Sequence, residues 1–337
     1  MQITGGAGKG GAEIFFGDLV QAFQNAGISQ LVVSRQNSLR DPVLQAAGIE
    51  NIHLHFGGAL DWQTPRKLRK IAQSYNPDIV LSWMCRAASM MPSGPFLKVG
   101  RLDGYYDLKY FTKCDRLVCI TKELCDHAIS SGWDHRKVHY IPNFINWKPA
   151  PAIDRAMFDT PDDVPLLLAL ARLDPVKGLD TAIRSLVHLA DSYLWIAGNG
   201  PLEAELKQLA KDMNVAERVR FLGWRDDREA LLAAADIAVF PSRKEGFGLV
   251  MLEAWASGTP IVATKAQGPA AYIDHLKTGL LAQIDNVDAF SGHIQNLLDD
   301  PDLSQAISRA GIERYMSGFT EQAAIKNWQD FFKEISG

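Results

Sequence analysis

Short β-branched, apolar runs alternate along the chain with longer stretches in which apolar positions recur at three- and four-residue spacing, the pattern of parallel strands covered by helices. In the first half it predicts strands near Leu31–Ser34, Ile52–His55, Ile79–Ser82, Leu97–Val99 and Leu117–Thr121, with helices around 12–26, 65–75 and 122–131. The rhythm then breaks, because Pro142, Pro149, Pro151, Pro161 and Pro165 fall in a stretch with no sustained apolar period. Alternation resumes with strands near Leu166–Ala171, Tyr193–Ala197, Val219–Leu222, Ile237–Phe240 and Pro260–Thr264, and helices near 178–190, 201–213, 226–235 and 248–257. A last helix, about 320–335, carries Trp328, Phe331, Phe332 and Ile335 at i, i+3, i+4 and i+7, an apolar stripe. The expected organisation is α/β: a doubly wound domain over 1–145, a proline-rich linker over 146–164, a second doubly wound domain over 165–318, and a terminal helix over 319–337 crossing back to the first domain. Ligands of such sheets bind beyond the carboxyl ends of the strands, so function is sought in the loops after strands and in a cleft between the domains.

Length and composition narrow the class. The 337 residues suit two domains, and 47% hydrophobic with 22% charged residues excludes disordered, collagen-like and disulfide-scaffold chains. No apolar run approaches the roughly 18–20 residues of a membrane-spanning helix. The start, Met1 to Gly6, lacks the basic and apolar regions of a signal peptide, so a cytoplasmic location is expected. Cys85, Cys114, Cys119 and Cys125 make no Cys-x-x-Cys spacing and read as free thiols. The net charge of −4 hides an asymmetry: 17 Lys+Arg against 12 Asp+Glu through residue 150, then 18 against 27. Either the first half faces something anionic or the imbalance is solvated surface.

Three loops carry candidate chemistry. Gly5-Gly6-Ala7-Gly8-Lys9-Gly10-Gly11 follows only Met1–Thr4, so the first strand is short or the chain starts further upstream, and a helix opens near Ala12. Glycines let a phosphate approach the backbone, and a helix start favours negative charge. The spacing Gly6-x-Gly8-x-x-Gly11 fits the dinucleotide fingerprint, but Ser34-Arg35 stands where a ribose-binding carboxylate belongs. The P-loop pattern fails as well, since Gly10 follows Lys9 where Ser or Thr is needed. A generic phosphate-approaching loop and a structural tight turn both stay open. In Ala171 to Gly178, Arg172 and Lys177 flank a helix start and suit a diphosphate clamp, with an ordinary surface pair as the alternative. In Glu245-Gly246-Phe247-Gly248-Leu249-Val250-Met251-Leu252-Glu253, the two carboxylates lie at most about 12 Å apart along a helical rise. They serve one ligand only if Glu245 is in the loop and Glu253 in the helix.

As a group these residues resemble glycosyltransferase family 4. The resemblance rests, in order, on Gly10-Gly11-Ala12-Glu13, Arg172…Lys177-Gly178, Gly198-Asn199-Gly200-Pro201, Phe221-Leu222-Gly223, Pro241-Ser242…Glu245-Gly246-Phe247-Gly248 and Glu253-Ala254…Gly258-Thr259-Pro260-Ile261-Val262. It implies a GT-B fold, two Rossmann-like domains facing each other across a cleft, and retaining, metal-independent sugar transfer from a nucleotide sugar. It further implies that Glu245 and the backbone of Gly246, Phe247 and Gly248 hold the sugar, Glu253 the ribose, Arg172 and Lys177 the diphosphate, and Gly11 its distal phosphate. Gly198, Phe221, Leu222 and Leu249 complete the donor site. Where the family has a histidine close to the sugar, this chain reads Gly100-Arg101-Leu102-Asp103-Gly104, so Asp103 stands in its place. No cofactor or metal is expected. Asp300-Pro301-Asp302, the only Asp-x-Asp, reads as a helix cap.

In this family the first domain reads the acceptor. Trp62-Gln63-Thr64-Pro65-Arg66-Lys67-Leu68-Arg69-Lys70 predicts a helix capped by Thr64, with Pro65 at its first position and four cations in its first two turns. Cations there oppose the helix dipole, which points to an anionic lipid or phosphorylated saccharide that retains them, or else to a solvated face beside a core tryptophan. The expected partners are a nucleotide-sugar donor, UDP-sugars first, a lipopolysaccharide-core or other cell-envelope glycan or glycolipid acceptor, and anionic membrane at the inner face of the plasma membrane, with no nucleic acid. A soluble small-molecule acceptor is the alternative enzyme, and a nucleotide-sugar-binding protein without catalysis the alternative class.

Overall fold

The computed structural model describes residues 1–336 except Ala7, Lys9, Gly10, Leu39 and Ala59, with Ser336 described in its backbone only. The chain divides into two compact units, Met1–Asn143 with Glu321–Gly337, and Phe144–Thr320.

The first unit is built on β1 (Gln2–Thr4), β2 (Val32–Ser34), β3 (Asn51–His53), β4 (Ile79–Trp83), β5 (Leu97–Leu102), β6 (Arg116–Cys119) and β7 (Val138–Tyr140). They form a parallel sheet in the order β3-β2-β1-β4-β5-β6-β7. Helices α1 (Gly11–Asn25), α2 (Arg40–Ala46), α3 (Gln63–Tyr75), α4 (Met84–Ser89) and α5 (Lys122–Ser130) connect them. Although only three residues long, β1 is central and buried throughout. Helix α1 buries Phe15, Phe16, Leu19, Val20 and Phe23, its i, i+4, i+8 stripe. The terminal helix of the chain joins this unit, with Trp328 and Phe332 edge-on to Phe23 at 5.5 and 5.8 Å.

The second unit holds β8 (Leu166–Leu170), β9 (Tyr193–Ala197), β10 (Val219–Gly223), β11 (Ile237–Phe240), β12 (Ile261–Thr264) and β13 (Leu280–Ala282), parallel in the order β10-β9-β8-β11-β12-β13. Helices α6 (Leu179–Ser185), α7 (Glu203–Asp212), α8 (Arg228–Ala234), α9 (Leu249–Ser257), α10 (Gln267–Tyr272), α11 (Val287–Asp299) and α12 (Pro301–Gly318) cover it, and α13 (Glu321–Ser336) is the helix that packs on the first unit. Its core is mainly aliphatic, with Leu167, Leu194, Ile196, Val239 and Val262 of the strands meeting Ile183, Phe290 and Ile294 of the helices. Asp300 caps α12 through Leu303 N–H at 2.9 Å, with Pro301 at the first helical position.

The stretch 146–164 is part of the second unit, not a free linker. Ile153 N–H donates to Ala230 O, the Arg155 guanidinium to Ala234 O and Val164 O, and Trp195 Nε1 to Thr160 Oγ1. Its prolines bar regular structure while its side chains still dock, so composition alone reads as a connection.

In both sheets the strand order reverses at one place, between β1 and β4 in the first and between β8 and β11 in the second. Loops leaving the carboxyl ends at such a switch point diverge and leave a crevice.

Candidate active site

The second unit's switch point joins two loops far apart in sequence. After β8 the Asp174 carboxylate accepts from Val176 N–H, and Pro175–Lys177 form a 3₁₀ turn ending at Gly178, whose φ is +61°. A Cβ at Gly178 would come within 2.1 Å of Pro241 O, so only glycine permits the approach of the β11 loop. Val176 O accepts from both Arg243 N–H and Lys244 N–H, at 2.8 and 3.2 Å, lacing the loops together. Lys177 Nζ thereby reaches Glu245 Oε2 at 2.5 Å, with both side chains about four-fifths buried. Arg172 extends into solvent with its Nη2 3.2 Å from Asp174 Oδ2.

Glu245 lies in the loop and Glu253 within α9, the arrangement their spacing requires. Gly246 is exposed, and Gly248 and Leu249 open the helix. The Phe247 ring is buried against Tyr272 at 4.9 Å, which anchors the loop. Glu253 is buried, and its Oε1 lies 2.8 Å from Arg228 Nη1. Gly198 follows β9 and donates its N–H to Gly223 O at 2.7 Å, while Phe221 and Leu222 are half-buried in edge strand β10.

Arg243 has no motif to announce it. It forms a bidentate pair with Asp180 at 2.8 and 2.7 Å, donates a single Nε–H bond to Asp285 Oδ1 at 2.7 Å, and donates to Pro175 O at 2.9 Å. It positions both loops.

The remaining predicted residues belong to the first unit. Gly11 opens α1 and is exposed, whereas Ala7, Lys9 and Gly10 of the glycine loop lie outside the described residues. Beneath the loop, Glu13 Oε2 accepts from Arg40 Nη1 at 2.9 Å, and both side chains are buried. A Cβ at Gly6 would fall 1.8 Å from Glu13 Oε1, so this glycine makes room for the carboxylate. Burial raises the Glu13 pKa above the usual glutamate range, against the opposing pull of Arg40.

Asp103 follows β5 and is nine-tenths buried. Its Oδ1 accepts from the Tyr106 hydroxyl, and its Oδ2 has no hydrogen-bond partner among the described residues. Arg101 lies between the rings of Trp83 and Phe15, 4.3 and 4.8 Å from their centroids, and burial lowers its pKa to about 10.

At α3 the cap differs from the sequence expectation. The helix starts at Gln63, and Asp61, not Thr64, caps it: its Oδ1 accepts from Thr64 N–H at 2.9 Å, and its Oδ2 from Thr64 Oγ1 and Gly57 N–H at 2.6 Å each. A carboxylate here answers the dipole that Arg66, Lys67, Arg69 and Lys70, all exposed, would otherwise oppose. The Thr64 hydroxyl, foremost, holds the Asp61 pKa down at about 2. A depressed carboxylate contributes stability above its ordinary value of 3.8 and loses it as pH falls towards 2. The amides of Gly57 and Thr64 should therefore lose hydrogen-exchange protection across that window, and Asp61→Asn should weaken them at neutral pH; protection unchanged in both would contradict the capping role. Trp62 is 62% exposed and not a core residue, with the Arg66 guanidinium 4.7 Å above its ring.

Among the described residues no three of His, Cys, Asp and Glu are placed to share a metal ion, and no helix is long and apolar enough to cross a membrane.

Two parallel-sheet Rossmann-like units with these loops define a glycosyltransferase of the GT-B fold. Residues 9–147 match Glycosyltransferase Family 4 and residues 152–314 match Glycosyl transferases group 1, and the chain belongs to glycosyltransferase family 4. It is 35% identical over 318 residues to the lipopolysaccharide core biosynthesis glycosyltransferase LpsE of Rhizobium meliloti (strain 1021), covering 93% of each chain. To LpsD of the same strain, also a lipopolysaccharide core biosynthesis glycosyltransferase, it is 32% identical over 331 residues, covering 96% of this chain and 95% of LpsD. In fold it is similar to HepE of Anabaena, solved in complex with UDP, with a TM-score of 0.85 at 20% identity over 99% of each chain.

Proposed function

We propose that this glycosyltransferase moves a sugar from a nucleotide sugar, a UDP-sugar first, onto a lipopolysaccharide-core or related cell-envelope glycan, with retention of anomeric configuration and without a metal ion. The observation that carries the reading is the Lys177–Glu245 pair at the switch point of the second sheet, with Glu253 buried in the helix that follows. Breaking the glycosyl–phosphate bond sends its electron pair to the departing diphosphate and leaves positive charge on the sugar ring. Lys177 and Arg172 stabilise the first, and Glu245 orients the sugar and offsets the second. Glu253 accepts from the ribose hydroxyls, exchanging Arg228 for the ligand. The backbone of Gly246, Phe247, Gly248 and Leu249 lies along the sugar, with Gly198, Phe221 and Leu222 completing the donor site and Gly11 meeting its distal phosphate. Asp103, whose buried Oδ2 lies 4.0 Å from Arg101 Nη1 and accepts no hydrogen bond among the described residues, is the acceptor-side group. The donor class is supported by the UDP complex of the similar HepE, and the acceptor class by LpsE and LpsD.

Proton NMR of the product formed in EDTA tests the mechanism. The anomeric coupling of the new linkage should match that of the donor, and the rate should not change with chelation. Inversion, or a rate restored only by Mg²⁺ or Mn²⁺, would contradict it.

The exposed cations of α3 further support peripheral contact with anionic membrane, on the cytoplasmic face where nucleotide sugars are present. Replacing Arg66, Arg69 and Lys70 by Gln should reduce co-sedimentation with phosphatidylglycerol vesicles at low salt, since such attraction acts over a Debye length of only about 8 Å at physiological ionic strength. Equal sedimentation of variant and parent would remove the membrane role.

A further inference from the structure

A cavity of about 920 Å³ opens in the first unit beyond the carboxyl ends of β2 and β3, closed on one side by the start of α3. Its size lies towards the upper end of small-ligand sites, which run to about 1,000 Å³, and leaves room for more than one sugar residue. Arg35 enters it from the end of β2, His53 and His55 from the end of β3, and Trp62 and Lys67 from α3. Neither Arg35 nor Lys67 has a carboxylate partner among the described residues, so both charges stay available. The one carboxylate in the lining, Asp61, is occupied by the three donors of its own cap.

We propose that this cavity is the subsite for an acid-bearing sugar of the acceptor glycan, one whose ring carries a carboxylate or a phosphate. The inference rests on the glycosyltransferase reading above and names the acceptor's chemistry. A pyranose has an apolar face of C–H bonds and a polar rim. The exposed Trp62 indole, steadied by the Arg66 guanidinium stacked on it, matches the face. His55 matches the hydroxyls of the rim, His53 being held through its Nε2 by Asp41 at 3.1 Å, and Arg35 and Lys67 match its acid. The concavity separates this site from the outward-facing cations of α3, because a bilayer surface cannot enter it. Its lining belongs wholly to the first unit, whereas Lys177, Glu245 and Glu253 belong to the second.

Isothermal titration of the full chain with three probes tests the proposal: the trimer of galacturonic acid, the neutral trimer maltotriose, and inorganic phosphate. The charged trimer should bind at least about tenfold more tightly than maltotriose, the difference expected of one charged hydrogen-bonded pair. The double substitution R35Q/K67Q should erase that preference, and Trp62→Ala should weaken both trimers by about tenfold, as loss of an aromatic anchor does. An unchanged thermal midpoint in each variant excludes misfolding as the cause. Equal affinity of the two trimers for the parent protein, or a preference that survives R35Q/K67Q, would overturn the proposal. Phosphate binding as tightly as the charged trimer would reduce the cavity to a plain anion site and overturn its saccharide part. Transfer from nucleotide sugars is a separate readout: its absence beside the expected trimer binding would defeat the transferase reading alone, and normal transfer without trimer preference would defeat this subsite alone.

Discussion

Lys177→Ala should lower turnover about 10²- to 10³-fold, the loss expected when one preorganised charge-stabilising donor is removed from a developing oxyanion. The position is prepared by the fold: Asp174 starts the 3₁₀ turn, Gly178 admits the neighbouring loop, and Arg243 holds both loops in place. Removing Lys177 also leaves the largely buried Glu245 carboxylate without its cation, so the loss extends to sugar orientation. Glu245→Gln should then cost less in a Lys177→Ala background than alone, because residues in direct contact are not additive. Single-turnover kinetics on the four proteins of the cycle provide the check. A defect confined to KM would mean that Lys177 contributes ground-state binding only, and strict additivity would mean that the pair does not act together.

Arg40→Met should destabilise the first unit by about 3–5 kcal/mol, the usual cost of stranding one partner of a buried ion pair. Glu13 would remain beneath the glycine loop, with Gly6 against one carboxylate oxygen and no cation on the other. Its pKa is already raised by burial, and loss of Arg40 removes the strongest opposing influence. Between the ordinary value of 4.5 and that raised value the native state binds more protons than the unfolded chain, so the variant should gain stability as pH falls through the window. Urea unfolding at mildly acidic and at neutral pH measures both the loss and its sign. A loss below about 1 kcal/mol, within the range of surface substitutions, would show that the pair does not support the loop.

The alternation of strands and helices, and the loops bearing Lys177 and Glu245, were legible in the sequence because each is written in a continuous stretch. Their contact was not, since it spans 68 positions and depends on β8 lying beside β11, a neighbourhood that strand order alone creates. The same reason hides Arg243 with Asp180 and Glu13 with Arg40. Elements too short for periodicity also escaped: β7 has no fully buried position, and α2, α4 and α10 complete two turns or fewer. At α3 the Thr-Pro pair resembles a cap and first helical residue, but the chain finds a stronger acceptor in Asp61 three residues earlier. Trp62 illustrates a different limit, because whether an aromatic beside an amphipathic helix is core or surface depends on what the tertiary fold brings to it.

The laced loops of the second unit are proposed to hold a nucleotide sugar for transfer to an envelope glycan. Radiolabel can be followed from UDP-hexoses onto truncated lipopolysaccharide core in the presence of EDTA, with Lys177→Ala alongside. Label should appear in the core at a rate that falls about 10²-fold or more in the variant. No label in the core from any UDP-hexose, or transfer by Lys177→Ala as fast as by the parent protein, would contradict that assignment.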